Sequence, residues 1–292
     1  MDICIGTAQF GLDYGINNKD GKLNQHQVND VLTYAYENGI VNIDTASSYG
    51  DSEQKIGTYL QNCQQKFRVI TKLKPGVRNL NDIQKNIVES RSKLAGKNIY
   101  GLLIHDFSDY LHNKSIFKML HNIKGRYHID NIGVSLYYPH ELELLLQAEE
   151  KIEIVQVPFN ILDRRFSPMF QELKSRKIKI FSRSVFLQGV FFLPPKDLPP
   201  YLKLFRPLLE WLAMYEKSYG LYAGQLAFQY VYRNKIIDSM IIGVDNKSHL
   251  SVHVESLNKC PPKKVFDNID GFIADLAIPN KLLVPTNWSD HG

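Results

Sequence analysis

The chain is 292 residues long, 44% hydrophobic, 22% charged and 11% aromatic, with a formal charge of +5 from 35 Lys and Arg against 30 Asp and Glu. That length suits one large α/β barrel or two modest domains. The charge is mild and the basic runs are short, which excludes nucleic acid as the expected partner; the balance suits an anionic ligand, or equally surface lysines kept for solubility.

Cys4, Cys63 and Cys260 have neither metal-ligand spacing nor a CxxC, so no metal is expected, and an odd, sparse count fits a reducing compartment. The first residues, Met-Asp-Ile-Cys-Ile-Gly, lack a basic stretch followed by an apolar one, so no signal peptide is expected. No apolar run approaches the ~20 residues that a bilayer span needs. A cytoplasmic location without membrane partners is the expectation.

Ile3 to Gly6 reads as a short strand that ends in Gly-Thr-Ala-Gln-Phe-Gly, a loop signal with Thr7 at its mouth. Gly11 to Gly21 is loop. Asn24 to Asn38 carries Val28, Val31, Leu32 and Ala35 at a helical period, and Gly39 stops it. Val41 to Ile43 is a buried strand with Asp44 just past its end; Ser52 to Cys63 is a helix. Phe67 to Thr71 is a strand ending in Lys72, and Leu80 to Leu94 is a helix. Tyr100 to Ile104 is a strand followed by His105 and Asp106, and Lys114 to Ile123 is a helix. Ile129 to Val134 and Ile152 to Val157 are strands, each followed by a helix, Pro139 to Glu149 and Pro168 to Arg176, the first with Pro in its opening turn. Ile178 to Phe181 is a strand. A long loop, Arg183 to Leu204, includes four prolines and leads to helices Phe205 to Tyr219 and Ala223 to Arg233. Ser239 to Ile242 is a strand and Lys247 to Glu255 a helix.

These are eight strand-then-helix units with no composition break. Repeated units with continuous apolar strands predict a parallel sheet covered by helices, and eight of them predict a closed (β/α)8 TIM barrel. The rival, an open doubly wound sheet, lacks support because no GxGxxG follows a strand. The expected organisation is a single barrel domain over 1–292, with 260–292 as a C-terminal extension. In a barrel the loops after the strands form the active face, and Asp44, Tyr49, Lys72 and His105 all belong to that rim.

A carboxylate and a phenol at a strand mouth point to proton chemistry. A phenol with an ordinary pKa near ~10 must be retuned to act near neutral pH. Each of the four residues alone also has an ordinary reading: a helix cap, a packed loop aromatic, a solvated lysine, a structural histidine. Together they match a pattern. Gly39-Ile40-Val41-Asn42-Ile43-Asp44-Thr45-Ala46-Ser47-Ser48-Tyr49-Gly50 resembles the signature of the aldo-keto reductase family, an Asp and a Tyr in a G-x-x-x-[IF]-D-T-A-x-x-Y-G frame. Lys72 in Val-Ile-Thr-Lys-Leu and His105 in Leu-Leu-Ile-His-Asp match that family's other two catalytic positions, and the similarity runs from Gly6 to about Glu255.

The resemblance implies reduction of an aldehyde or ketone to an alcohol with NADP or NAD, Tyr49 being the proton donor. Hydride arriving at a carbonyl leaves negative charge on oxygen, which needs a proton and nearby positive potential. Lys72 would lower the Tyr49 pKa, Asp44 would hold Lys72, and His105 would orient the carbonyl. The family's cofactor positions fall on Thr7, on Ser135 and Gln156 for the nicotinamide carboxamide, and on Arg183, Ser184, Phe186, Leu187, Gln188 and Gly189 for the ring and pyrophosphate. Gly243, Asp245, Lys247 and His249 match the adenosine-phosphate site. Two departures stand out. Leu136 replaces an Asn common after that Ser, with Asn160 as a candidate substitute or simply a loop former, and Arg183 stands where an aromatic ring commonly stacks. Phe186 and Leu187 read equally well as loop core. Asp245, where NADPH-preferring members carry a base, predicts relaxed or NAD-leaning specificity, while Lys247 and His249 remain able to meet a phosphate.

Polar groups in the rim loops, Asn17, Asn18, Asp106 and Asp109, suit a small-molecule carbonyl substrate of sugar-like polarity. A regulatory or scaffold barrel that only binds cofactor is the alternative, and an intact set of four argues against it. The C-terminal stretch, with a helix expected at Val265 to Leu276, is expected either to pack across the barrel, Trp288 forming a substrate wall, or to be a disordered tail.

Overall fold

The computed structural model describes residues 1–259 and 261–291. Its strands are β1 (Asp2–Gly6), β2 (Asn42–Asp44), β3 (Arg68–Lys72), β4 (Ile99–Ile104), β5 (Ile129–Ser135), β6 (Ile154–Pro158), β7 (Lys179–Arg183) and β8 (Ser239–Gly243). They pair in chain order, all parallel, and β8 returns to β1 to close the barrel. The predicted (β/α)8 architecture is therefore the observed one.

The helices are α1 (Ala8–Gly11), α2 (Gln25–Glu37), α3 (Ser52–Gln61), α4 (Leu80–Lys93), α5 (Phe107–His112), α6 (Ile116–Ile123), α7 (Pro139–Gln147), α8 (Phe170–Ser175), α9 (Arg206–Tyr219), α10 (Ala223–Tyr232), α11 (Lys247–Ser256) and α12 (Lys263–Ala274). Local chemistry sets several of their ends. Asn24 caps α2 reciprocally with Gln27, and Asn79 caps α4 by accepting from the Asp82 N–H. Gly220 ends α9 at φ 61°, a left-handed conformation that glycine adopts without a Cβ penalty.

Alternation along the strands makes two cores. Cys4, Ile70, Leu103, Ile154, Phe181 and Ile241 fill the barrel interior, and a larger apolar layer packs between strands and helices. Cys4 and Cys63 are free thiols, and Cys260 lies outside the described residues. Among the described residues no helix is long and apolar enough to cross a membrane.

Two helices escaped the sequence reading. α1 and α5 have four and six residues, too short to show a period. Pro168 falls in a 3-10 turn, Ser167–Met169, that precedes α8. The segment after β7 winds through further 3-10 turns at Leu187–Phe192, Pro195–Asp197 and Pro200–Phe205.

Among its described residues, the C-terminal stretch packs on the outer helices and on the long segment after β7. α12 lies against the outer helices: Phe272 stacks on Trp211 at 4.7 Å, the Arg233 guanidinium lies 4.4 Å from the Phe266 ring, and Asp270 accepts from Arg164 and Tyr230. Trp288 is buried beside Tyr201 and donates to the Leu282 carbonyl. The expectation of Trp288 as a substrate wall is thus corrected; its indole is engaged in tying down its own segment.

Candidate active site

The C-terminal ends of the strands surround a cleft of about 980 Å³ open to solvent. Asp44 ends β2 and Lys72 ends β3, both buried at 3% and 1% exposure. The Lys72 ammonium donates to Asp44 Oδ2 at 2.7 Å and to the Thr45 carbonyl at 3.0 Å. Gln156, on β6, donates to Asp44 Oδ1 at 2.7 Å. Both carboxylate oxygens are therefore occupied, as a buried charge requires.

Tyr49 is placed by the backbone. Gly11, at the end of α1, packs so closely on the Tyr49–Gly50 turn that a Cβ on Gly11 would run into the Tyr49 carbonyl. A Cβ on Gly50, itself at φ 53°, would run into the Gly11 carbonyl. Thr7 braces the same region: its hydroxyl donates to the Asp44 carbonyl at 2.9 Å and takes a hydrogen bond from Ser52. Thr7 borders the cleft as expected, but its hydroxyl proton serves the main chain.

The Tyr49 ring meets His105 edge to face, centroids 5.8 Å apart, and the Lys72 ammonium lies 5.1 Å from the ring centre. Burial, and then the Asp44 carboxylate, push the phenol well above its ordinary pKa, with Arg183 pulling weakly the other way. The net shift is upward even with the Lys72 ammonium 5.1 Å from the ring centre. Tyr49 is therefore a protonated phenol.

His105 is neutral as well. Burial, with Lys72 and Arg183 nearby, lowers its pKa from 6.5 to about 3. Its Nδ1 lies 3.1 Å from the Ser48 hydroxyl. If that hydroxyl donates, the ring proton resides on Nε2, the tautomer that can donate into the cleft.

Beyond this end the cleft is bordered by Ser135, Gln156, Arg183, Ser184, Phe186, Gln188, Gly189, Gly243 and Asp245, all of them expected from the sequence. Three expected residues stand elsewhere. Leu187 is fully buried in the core, since its backbone at φ 47° turns the segment inward. Lys247 and His249 occupy the first turn of α11 outside the lining; Lys247 lies over the Tyr34 ring and His249 pairs with Asp245 at 3.3 Å. The Asn246 side chain already accepts from the His249 N–H, so that part of the helix terminus is capped internally.

Arg183 borders the cleft with one face taken by Tyr137. Its guanidinium lies 4.1 Å from the Tyr137 ring centre, donates to the Leu136 carbonyl at 2.8 Å and to Ser184 Oγ at 3.2 Å, and leaves Nε buried without a partner among the described residues. Asp245 Oδ1 is likewise buried without one. Asn160 is the loop former: it accepts from the Leu162 and Asp163 N–H groups and donates to the Ser184 carbonyl.

Asn17 and Asn18 border the cleft, whereas Asp106 and Asp109 do not. Asp106 caps α5, and Asp109 is buried, accepting from the Gly76 N–H. The sequence reading missed Gln9, Tyr14, Tyr137 and Phe192, which also border the cleft. Gln9 and Tyr137 stand just beyond the ends of β1 and β5, and Tyr14 and Phe192 lie in loops at the same rim, so position was the signal for each.

The fold and site define a parallel eight-stranded barrel with a buried Lys–Asp pair under a Tyr and a His at the rim. A profile of the Aldo/keto reductase family matches residues 2–274, and the chain belongs to that family. Membership carries the family's general chemistry, NAD(P)H-dependent carbonyl reduction. No curated protein sequence matches the chain. Among solved structures it is similar to an aldo-keto reductase from Bacillus halodurans in its holo form: TM-score 0.75, 18% identity, 97% of this chain and 95% of that one covered. It is also similar to the glycerol dehydrogenase from Gluconobacter oxydans: TM-score 0.74, 18% identity, 95% and 93% covered. At such identity the likeness is one of fold.

Proposed function

We propose that this protein reduces a small, polar aldehyde or ketone to the alcohol, with NAD(P)H held along the cleft and Tyr49 as proton donor. The observation that carries this reading is the meeting of Tyr49 and His105 above the buried Asp44–Lys72 pair at one end of the cleft. A dinucleotide fits the rest of the cleft: Arg183 Nε and Asp245 Oδ1, buried polar atoms of two lining residues, lack partners among the described residues and suit a polar ligand.

When bound, the reduced nicotinamide supplies the hydride. The chain's own residues handle the oxygen. Tyr49 donates a hydrogen bond and then its proton to the carbonyl oxygen, and neutral His105 donates from Nε2 to the same atom. As the phenol ionises, Lys72 favours the phenolate that forms; Asp44 holds the ammonium in place. Gln156, bonded to Asp44, links this machinery to the cofactor half, where Ser135 stands beside it to hold the carboxamide.

Asp245 favours NADH over NADPH, because its unpartnered carboxylate oxygen accepts from a ribose hydroxyl and repels a 2′-phosphate. Tyr14, Asn17 and Asn18 give the substrate side its polar character. The test is cofactor oxidation with a panel of simple and sugar-like aldehydes, using NADH and NADPH in parallel. Saturable cofactor binding without oxidation across the panel would favour a cofactor-binding scaffold instead.

A further inference from the structure

The opposite end of the barrel has its own concavity, a basin of about 710 Å³ open to solvent, bordered by residues at the N-terminal ends of the strands. Three of them carry cationic side chains: Arg68 begins β3, Lys179 begins β7, and Lys235 lies in the turn before β8. Among the described residues none of the three has a carboxylate partner. The Lys179 ammonium donates to the Tyr100 hydroxyl at 2.8 Å and to Asn131 Oδ1 at 3.1 Å, both neutral. The Arg68 guanidinium rests 5.5 Å from the Tyr100 ring centre, and the Lys235 ammonium 4.9 Å from that of Tyr232.

The basin holds two carboxylates, and one is already neutralised. Asp238 accepts from Lys174, outside the basin lining, at 2.7 Å and from the Ile180 N–H. That leaves three cationic side chains against the carboxylate of Asp2 alone, which accepts a 3.4 Å hydrogen bond from Asn42. A second, independent feature points the same way. Ser239 is 2% exposed, borders the basin, and its hydroxyl has no partner among the described residues. An orphaned buried hydroxyl beside uncompensated cations is costly unless something accepts from it.

We propose that this basin binds a small phosphate-bearing anion. Its oxygens accept from Arg68, Lys179 and Lys235 and from the Ser239 hydroxyl, and the Arg68 fork supplies the planar donor pair that suits phosphate. The site draws on β3, β7 and β8 at the face remote from the cleft, so its ligand ties three strands together and stabilises the fold by mass action.

The test is calorimetric titration of the full chain with inorganic phosphate and with pyrophosphate at fixed ionic strength, followed by thermal unfolding in the same buffers. Wild type is expected to show one saturable site and a rise in Tm. Arg68→Gln and Lys235→Gln, both exposed positions whose truncation leaves no cavity, are each expected to weaken binding at least ~10-fold, the loss of one charge-assisted hydrogen bond. Ser239→Ala is expected to weaken it further in combination. Absence of saturable binding to wild type would overturn the proposal. So would binding that is unchanged in the basin variants and lost in Lys247→Gln, since the anion would then sit at the cofactor face.

Discussion

The Lys72 ammonium lies 2.7 Å from the Asp44 carboxylate, and both side chains are sealed from solvent beneath the Tyr49 ring. The pair is a neutral unit at rest. Burial and Asp44 keep the resting phenol protonated, while the ammonium, 5.1 Å from the ring centre, favours the negative charge that forms as the proton leaves.

Lys72→Met is therefore expected to cost about 3–5 kcal/mol of stability, because it strands a buried carboxylate. Asp44→Asn in the Lys72→Met background should recover part of the loss. Urea unfolding of the single and double variants checks this. Equal stability of wild type and Lys72→Met would mean that the carboxylate is not buried as described.

The buried, unpartnered Asp245 oxygen is the basis of the proposed preference for NADH. Asp245→Ser is expected to weaken NADH and improve NADPH relative to it by ~10-fold or more, the scale set by one charged hydrogen bond. The ratio of the two Kd values, measured by titration, decides. An unchanged ratio would remove Asp245 from the recognition of the ribose.

His253, on α11, is buried between the Phe186 and Phe228 rings at 4.7 and 5.2 Å, with Nδ1 lacking a partner among the described residues. Burial lowers its pKa from 6.5 to about 4. Below about 6.5 the unfolded chain takes a proton that the folded one refuses, so stability falls as pH drops toward about 4. His253→Leu is expected to reduce that fall. Unfolding free energies measured on both sides of this window check it, and a slope identical to wild type would contradict it.

The barrel was legible because each β-strand is a short apolar run followed by a helix with its own stop signal, such as Gly39 after α2. Asp44, Tyr49, Lys72 and His105 were legible because they stand at strand ends, where topology alone brings them together. The charge state of Tyr49 was not, since it depends on how completely Asp44 neutralises Lys72 and on how dry the rim is. Long-range partners were equally hidden. Nothing local marks Asp109 as an acceptor for Gly76 rather than a rim carboxylate, or Arg183 as a clamp on Tyr137 and Leu136. Tyr14 and Gln9 reach the cleft only because the segment after β1 folds over it: Ile16 donates to the Gln188 carbonyl at 3.0 Å.

Arg183→Lys tests that clamp. A lysine lacks the planar fork that bonds Leu136 and stacks on Tyr137, so cofactor Kd is expected to rise several-fold while the fold persists. Unaltered affinity would show that the Arg183–Tyr137 stack does not shape the cofactor half.

The most direct measurement is paired turnover and cofactor affinity for Tyr49→Phe, which removes one oxygen and leaves the ring over Lys72. The expected result is an unchanged cofactor Kd with kcat lower by ~100- to 10,000-fold, the scale of general acid catalysis. Turnover at the wild-type rate in Tyr49→Phe would contradict the account, because the proton would then come from another group.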